Sequence, residues 1–453
     1  MAGIAFDIKK LLDKKELSSV LTAFFYSGVV SSGPWLFAVF ALGFISSFGK
    51  ELAGIELINL FMGLIIYVFA FSMLLTYGTQ MVITRYLSDC LYRKEDWRIP
   101  SLLITTILML AGGAGLLYAP FVWSLELTFW VKVQSLFLFL LVNSMWAAMI
   151  YVSTLKAYKL VTITFISGFG ISIPASLIIG NFYGLEGFLI GLNSGLTLIV
   201  FLLCAQIFKE FSGEIKFDWN LFKAHRQFPY LFFFGLFTGL GVWSDKLMFW
   251  FIHREPMGAG LLGYPKYDGA MFIGYMTVLP SLAYFILIAE TDLYDNIRQY
   301  GYFVNNHSKF SSLEKARLNM IECLKKSFFK MGIIQGIFTI IVILAAPMII
   351  QLLDMSILQI SILRISMLGG YFQMGMMLLG IVLTYFTSER GILLVAFVFF
   401  SLNVICTWAF MNDFWLYGYG YFIASFVSFL VALLLVVINI KNFHYAMICV
   451  PRQ

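Results

Sequence analysis

The stretch IELINLFMGLIIYVFAFSMLLTYGTQMVITRYL (55–87) carries no charged residue between Glu56 and Arg85. A helix rises about 1.5 Å per residue and the hydrocarbon core of a bilayer is about 30 Å thick, so about 20 apolar residues suffice to cross it. This stretch exceeds that length and must tilt or project beyond the lipid. Comparable runs lie on either side of it, at 17–48, 100–123, 128–154, 160–180, 184–208, 228–252, 269–289, 329–352, 358–387, 391–411 and 416–440. Composition agrees: 61% of the residues are hydrophobic and 12% are charged. A soluble domain carries about 25% charged residues to cover its surface. The pattern predicts an all-α integral membrane protein of about twelve transmembrane helices.

The basic residues orient the chain. With the N-terminus inside, Lys50, Lys132, Arg254 and Lys266 fall outside the membrane, Lys246 and Arg364 fall within helices, and every other Lys and Arg lies on the cytoplasmic side. Such a bias is a topology signal, with both termini cytoplasmic. The net charge of +6 therefore calls for no nucleic-acid partner. The five cysteines show no CxxC or metal spacing, and no metal or cofactor site is expected.

The crossings divide six and six. Residues 1–16 form a cytoplasmic amphipathic segment, 17–208 a first six-helix bundle, 209–227 a cytoplasmic linker, 228–440 a second bundle and 441–453 a cytoplasmic tail. Within the second bundle, 293–328 reads as an amphipathic helix on the inner membrane surface. Ser311 and Glu314 there fit a capping box, and Leu313, Ala316, Met320, Leu324 and Phe328 recur at helical spacing. FFYSGVVSSGPW (24–35) and FFFGLFTGLGVW (232–243) align as a faint repeat at the start of each half.

Few residues could carry chemistry. The histidines, His225, His253, His307 and His444, lie near helix ends or in loops, and no nucleotide-binding or hydrolase motif is present. Ionisable residues inside membrane helices usually face a polar pathway or a partner. The clearest are Asp245 and Lys246 in FTGLGVWSDKLMFWF (237–251). As neighbours on a helix they project about 100° apart, so a simple face-on pair is not expected. Lys246 shares a face with Trp243 and Trp250, which places a cation between two aromatic rings suited to a sugar. Arg364 is a candidate partner for Asp245, and Arg85 and Glu290 sit near inner helix ends. Gly33-Pro34, Gly241 and Pro280 are candidate hinges, since proline removes a helical hydrogen bond and glycine leaves space beside the helix.

The opening MAGIAFDIKKLL, the SSGPW of the first helix, WSDKLMFWF and YDGAMFIGYMTVLPSLAYFILIAETD (267–292) resemble the PelG family of Pel exopolysaccharide transporters, within the multidrug/oligosaccharidyl-lipid/polysaccharide exporter superfamily. The resemblance implies two six-helix bundles around a central cavity in the bacterial inner membrane. It implies transport of an N-acetylgalactosamine-rich polymer, with membrane lipids around the chain and the glycosyltransferase PelF and membrane proteins PelD and PelE as partners. It carries over no residue role. Other readings remain open: a lipid-linked oligosaccharide flippase or ion-coupled antiporter of the same architecture, and a multi-pass transferase. Residues 17–48 contain no acid for ion coupling, and Glu51 and Glu56 are the sole outer-loop hint of an enzyme.

Overall fold

The computed structural model describes residues 17–152, 158–285, 290–306, 308–353, 355–386 and 388–441; several side chains within these ranges, among them those of Pro34 and Glu290, are outside the description. The surface segment expected at 1–16 and the tail from 442 lie outside the described residues.

The chain is helical almost throughout. Its main helices are α1 (Leu17–Ala53), α2 (Ile55–Tyr92), α3 (Ile99–Ser124), α4 (Phe129–Val152), α5 (Tyr158–Glu210), a short α6 (Asn220–Gln227) and α7 (Pro229–His253). After a small hairpin of β1 (Glu255–Gly258) and β2 (Leu261–Gly263) come α8 (Pro265–Met276), α9 (Leu279–Tyr284), α10 (Glu290–Asn305), α11 (Phe310–Leu352), α12 (Gln359–Tyr385), α13 (Glu389–Phe410) and α14 (Tyr419–Lys441). The hairpin is antiparallel, with Glu255 opposite Gly263 and Pro256 opposite Leu262. Among the described residues nine segments are long and apolar enough to cross a membrane. Large apolar side chains such as Leu116, Phe182, Leu344 and Met348 are well exposed, as a lipid-facing surface requires.

α5 spans 53 residues, about 80 Å if straight, too long for one crossing. It folds back at Gly184, whose φ of 58° and ψ of −135° suit glycine and strain any residue with a Cβ. This produces the two crossings read at 160–180 and 184–208. Gly187, Gly191 and Gly195, four residues apart on the second arm, face the main chain of Ile179, Ser176 and Gly168 on the first. Small residues at this spacing let two membrane helices approach backbone to backbone. Ser172 and Ser176 add hydroxyl bonds across the hairpin, to the carbonyls of Leu192 (3.3 Å) and Phe188 (3.2 Å).

Contacts divide the chain into two compact units. One holds the described residues up to Ser31, then Ser244–Met248 and those from Pro265; the other holds the described residues of Ser32–Trp243 and Phe249–Tyr264. The chain thus changes unit inside α1, next to Gly33-Pro34, and again inside α7.

In the second of these units, residues 211–219 are pinned rather than free. Arg98 donates to Asp218 Oδ2 (2.6 Å), Glu95 Oε2 (2.8 Å) and the Tyr86 hydroxyl (2.6 Å). Ser101 Oγ donates to the Glu214 carbonyl (2.6 Å) and accepts from the Lys216 amide (3.0 Å), while Thr105 Oγ1 accepts from the Asp218 amide (2.9 Å). Around this clasp Trp97, Phe217, Trp219 and Phe222 remain exposed.

The surface helix expected to end at 328 does not end there. Residues 310–328 run on into the ninth crossing as one 43-residue helix, α11. Its N-cap is Lys309, without a side-chain cap, so Ser311 lies inside the helix and forms no capping box. No proline falls between 311 and 346, so nothing in the sequence stops propagation once the helix has started.

Candidate functional site

The first unit contains a deeply buried polar cluster that includes an ion pair. α7 presents Asp245 with no solvent-exposed surface and Lys246 at 8% exposure. Contrary to the expectation from their adjacency, they pair: Lys246 Nζ lies 3.0 Å from Asp245 Oδ1 and 3.0 Å from Oδ2. The 100° separation applies at Cβ, and the flexible four-carbon stem of lysine bends round to cancel it. The ammonium also donates to the Tyr275 hydroxyl (3.1 Å) and sits 4.6 Å from that ring's centroid. An ammonium has three donors, and three oxygens receive them. Tyr267 completes the carboxylate by donating to Asp245 Oδ2 at 2.7 Å. A buried ion pair persists only when both members are hydrogen-bonded in this way.

The tyrosines are held in turn. Tyr275 packs edge-on against Tyr421 of α14 (5.1 Å, 63°), and Tyr421 donates to Gln373 Oε1 of α12 at 2.5 Å. Alongside, Asn403 bridges Ser244 (3.3 Å) and Thr407 (3.2 Å). The eighth crossing is broken between α8 and α9, just ahead of Pro280. Gln335 of α11 braces the gap. Its amide donates to the Thr277 carbonyl (2.8 Å) and Thr339 Oγ1 (3.1 Å), and its carbonyl accepts from Ser281 (2.5 Å). Polar side chains from neighbouring helices re-satisfy freed backbone groups at such breaks. Gly274 lies directly against Ser366, so α8 approaches α12 closely enough to bring Tyr275 over the lysine.

The other residues singled out from sequence are placed differently. Trp243 and Trp250 pack on each other (6.1 Å, 74°), and Trp250 is buried against Tyr67 (4.9 Å). The ring over the ammonium is Tyr275, so the sandwich of two tryptophans is replaced by one tyrosine from another helix. Arg364 is exposed and donates to the Ile343 carbonyl (3.3 Å); the cation beside Asp245 is Lys246. Arg85 is exposed, 3.7 Å from Asp89 and 5.9 Å over the Phe228 ring. α10 begins at Glu290, whose side chain is outside the description. Gly33 and Gly241 are buried in their helices. Tyr267, Tyr275, Tyr421, Gln373 and Gln335 were not singled out from sequence. Tyr267 and Tyr275 are eight positions apart, on neighbouring faces of one helix, which was a usable signal. Among the described residues no three His, Cys, Asp or Glu side chains converge closely enough to share a metal ion.

Residues 1–447 match the PelG family, described as exopolysaccharide exporters. The chain belongs to that family. No curated protein matches it. Solved structures show the fold of this PelG-family chain. A MATE transporter in a straight conformation matches with a TM-score of 0.61 at 15% identity, covering 96% of this chain and 97% of its own. A mutant of the Vibrio cholerae MATE transporter VcmN gives 0.62 at 11% identity, covering 98% and 99%. A MOP superfamily transporter from Pyrococcus furiosus gives 0.59 at 14%, covering 93% and 95%. The PelG-family chain therefore has the twelve-helix, two-lobe MATE fold, and it is a multi-pass membrane protein that exports polysaccharide. The nine apolar segments become twelve when α5 is counted as two arms and α7 and the broken α8–α9 are added.

Proposed function

We propose that this PelG-family exporter carries a Pel-like, N-acetylgalactosamine-rich polymer outward across the bacterial inner membrane, and that the Asp245–Lys246 cluster belongs to its pathway or gate. The observation that carries this reading is a fully buried carboxylate inside membrane helices, ringed by tyrosine hydroxyls. Intramembrane charge is expensive and is retained where it serves transport. Tyrosines suit a sugar polymer twice over, offering a ring face for stacking and a hydroxyl for exchange with sugar hydroxyls. The distribution of Lys and Arg supports cytoplasmic termini. The six-plus-six division at 209–227, hinges at Gly33-Pro34, Gly241 and Pro280, and partnership with PelF, PelD and PelE complete the proposal.

The test compares wild type with Asp245→Ala in cells that carry the full synthesis machinery, at matched membrane levels of the protein. External polymer should fall at least about tenfold, the change that ~1.4 kcal/mol brings. Unchanged secretion would assign Asp245 to packing alone. Unchanged secretion on deleting the whole chain would remove the export role for this polymer.

A further inference from the structure

A buried carboxylate in a membrane helix needs a positive charge beside it. A mobile cation can supply that charge only if it is bound and released as the protein cycles. A tethered cation stays. In this chain the tethered cation is complete: Lys246 Nζ has both Asp245 oxygens at 3.0 Å and the Tyr275 oxygen at 3.1 Å. Two carboxylate oxygens and a phenol oxygen converging on one point are also the hard-oxygen ligand set that a small monovalent cation would take. The fourth polar partner, the Tyr267 hydroxyl, faces the carboxylate as a donor and so adds to the anion's satisfaction without competing for the ammonium's place.

We propose that Lys246 is a built-in counter-ion standing where a mobile coupling cation would otherwise bind to Asp245, so that this site takes up neither sodium nor a proton as the exporter works. Its bearing on transport rests on the pathway reading above; the charge balance itself does not. The groups facing Asp245 define what would happen without the amine. They are Lys246 on its own helix and Tyr267 and Tyr275 on α8, with Tyr421 of α14 and Asp268 of α8 next outward. Among the described residues Lys246 is the one cation in that set. Removing its charge while keeping its length, as in Lys246→Met, leaves Asp245 to recruit sodium or a proton.

The experiment measures melting of the detergent-purified full chain by tryptophan fluorescence. Wild type, Lys246→Met and the Asp245→Asn/Lys246→Met double variant are each compared in sodium chloride and choline chloride, at about pH 8 and about pH 5.5, which lie well above the usual carboxylate range and nearer to it. Wild type should melt at the same temperature in sodium and choline. Lys246→Met should melt several degrees lower in choline at the higher pH. It should recover, relative to the double variant, on adding sodium or lowering pH. The double variant has no buried charge to balance and should respond to neither. Stabilisation of wild type by sodium over choline would overturn the proposal, and that comparison stands whatever the variants do. A Lys246→Met protein as stable as the double variant, and equally indifferent, would overturn it too. Recovery of the double variant from membranes that yield no folded Lys246→Met would support it. None of these outcomes bears on secretion, which decides the export reading separately.

Discussion

Asp245–Lys246 and the Arg98 clasp are built from the same parts, a cation held by carboxylate and tyrosine oxygens, in opposite settings. Around Arg98 the side chains retain 15% exposure on the arginine, 11% on Asp218 and 31% on Glu95. The clasp lies at the ends of α2 and α3 and fastens the 211–219 segment. Around Asp245 the carboxylate has no exposure at all, and the pair sits well inside α7. At a helix end, water can replace a lost partner, so an ion pair is a fastening. Inside the membrane no water replaces it, so the pair persists only with its full set of partners.

The comparison can be sharpened first where burial is deepest. Gln335→Leu strands the Thr277 carbonyl and the Ser281 hydroxyl at the break in the eighth crossing. Each buried orphan costs about 1–3 kcal/mol. The purified variant should melt several degrees below wild type and, on the proposed role of the neighbouring Asp245–Lys246 cluster, should secrete less polymer. A variant with unchanged melting and unchanged secretion would reduce the brace to ornament.

The clasp should yield a smaller, local effect. Arg98→Met removes four charge-assisted bonds, two of them to Asp218 Oδ2, that are partly open to solvent, at a cost of about 1–2 kcal/mol. Limited proteolysis should cut within 211–219 faster, with secretion held within about twofold, under ~0.5 kcal/mol. Secretion that fell by the tenfold expected of Asp245→Ala would break the proposed distinction between the two ion pairs. Smallest of all is Arg364→Gln. Its one hydrogen bond is exposed and long, so melting should move by the equivalent of no more than about 0.5 kcal/mol. A large loss of secretion there would return Arg364 to the pathway.

Most of the membrane architecture was legible because apolar run length is a direct physical requirement of the bilayer. Thus 55–87 and 358–387 reappear within a few residues as α2 and α12. The site was half legible. Asp245 and Lys246 stand out against 61% hydrophobic sequence, because charge in an apolar run is conspicuous. Their partners do not stand out. Tyr267, Tyr275 and Tyr421 are three of 23 tyrosines in a chain with 18% aromatic residues, and helix period alone does not say which of them meet. The pairing of Asp245 with its own neighbour is not legible from Cβ directions, which approximate the side-chain direction well for aspartate and poorly for lysine. The run-on of 310–328 into α11 is not legible from amphipathicity, which reports the surroundings of a helix, while its end depends on a breaker that this segment lacks.

The α5 hairpin has a mechanical consequence. Its arms approach through the main chain at Gly187, Gly191 and Gly195, while Phe188 and Ile199 of the second arm fit over Gly180 and Gly168 of the first. Two surfaces padded by Leu and Phe can slide by exchanging rotamers. Two helices toothed together, backbone against glycine and side chain into glycine notch, cannot slip by a fraction of a turn without collision. The fifth and sixth crossings are therefore a single stiff strut. Any shape change during export has to be taken up by joints elsewhere along the chain, with this strut carried through the cycle unbent.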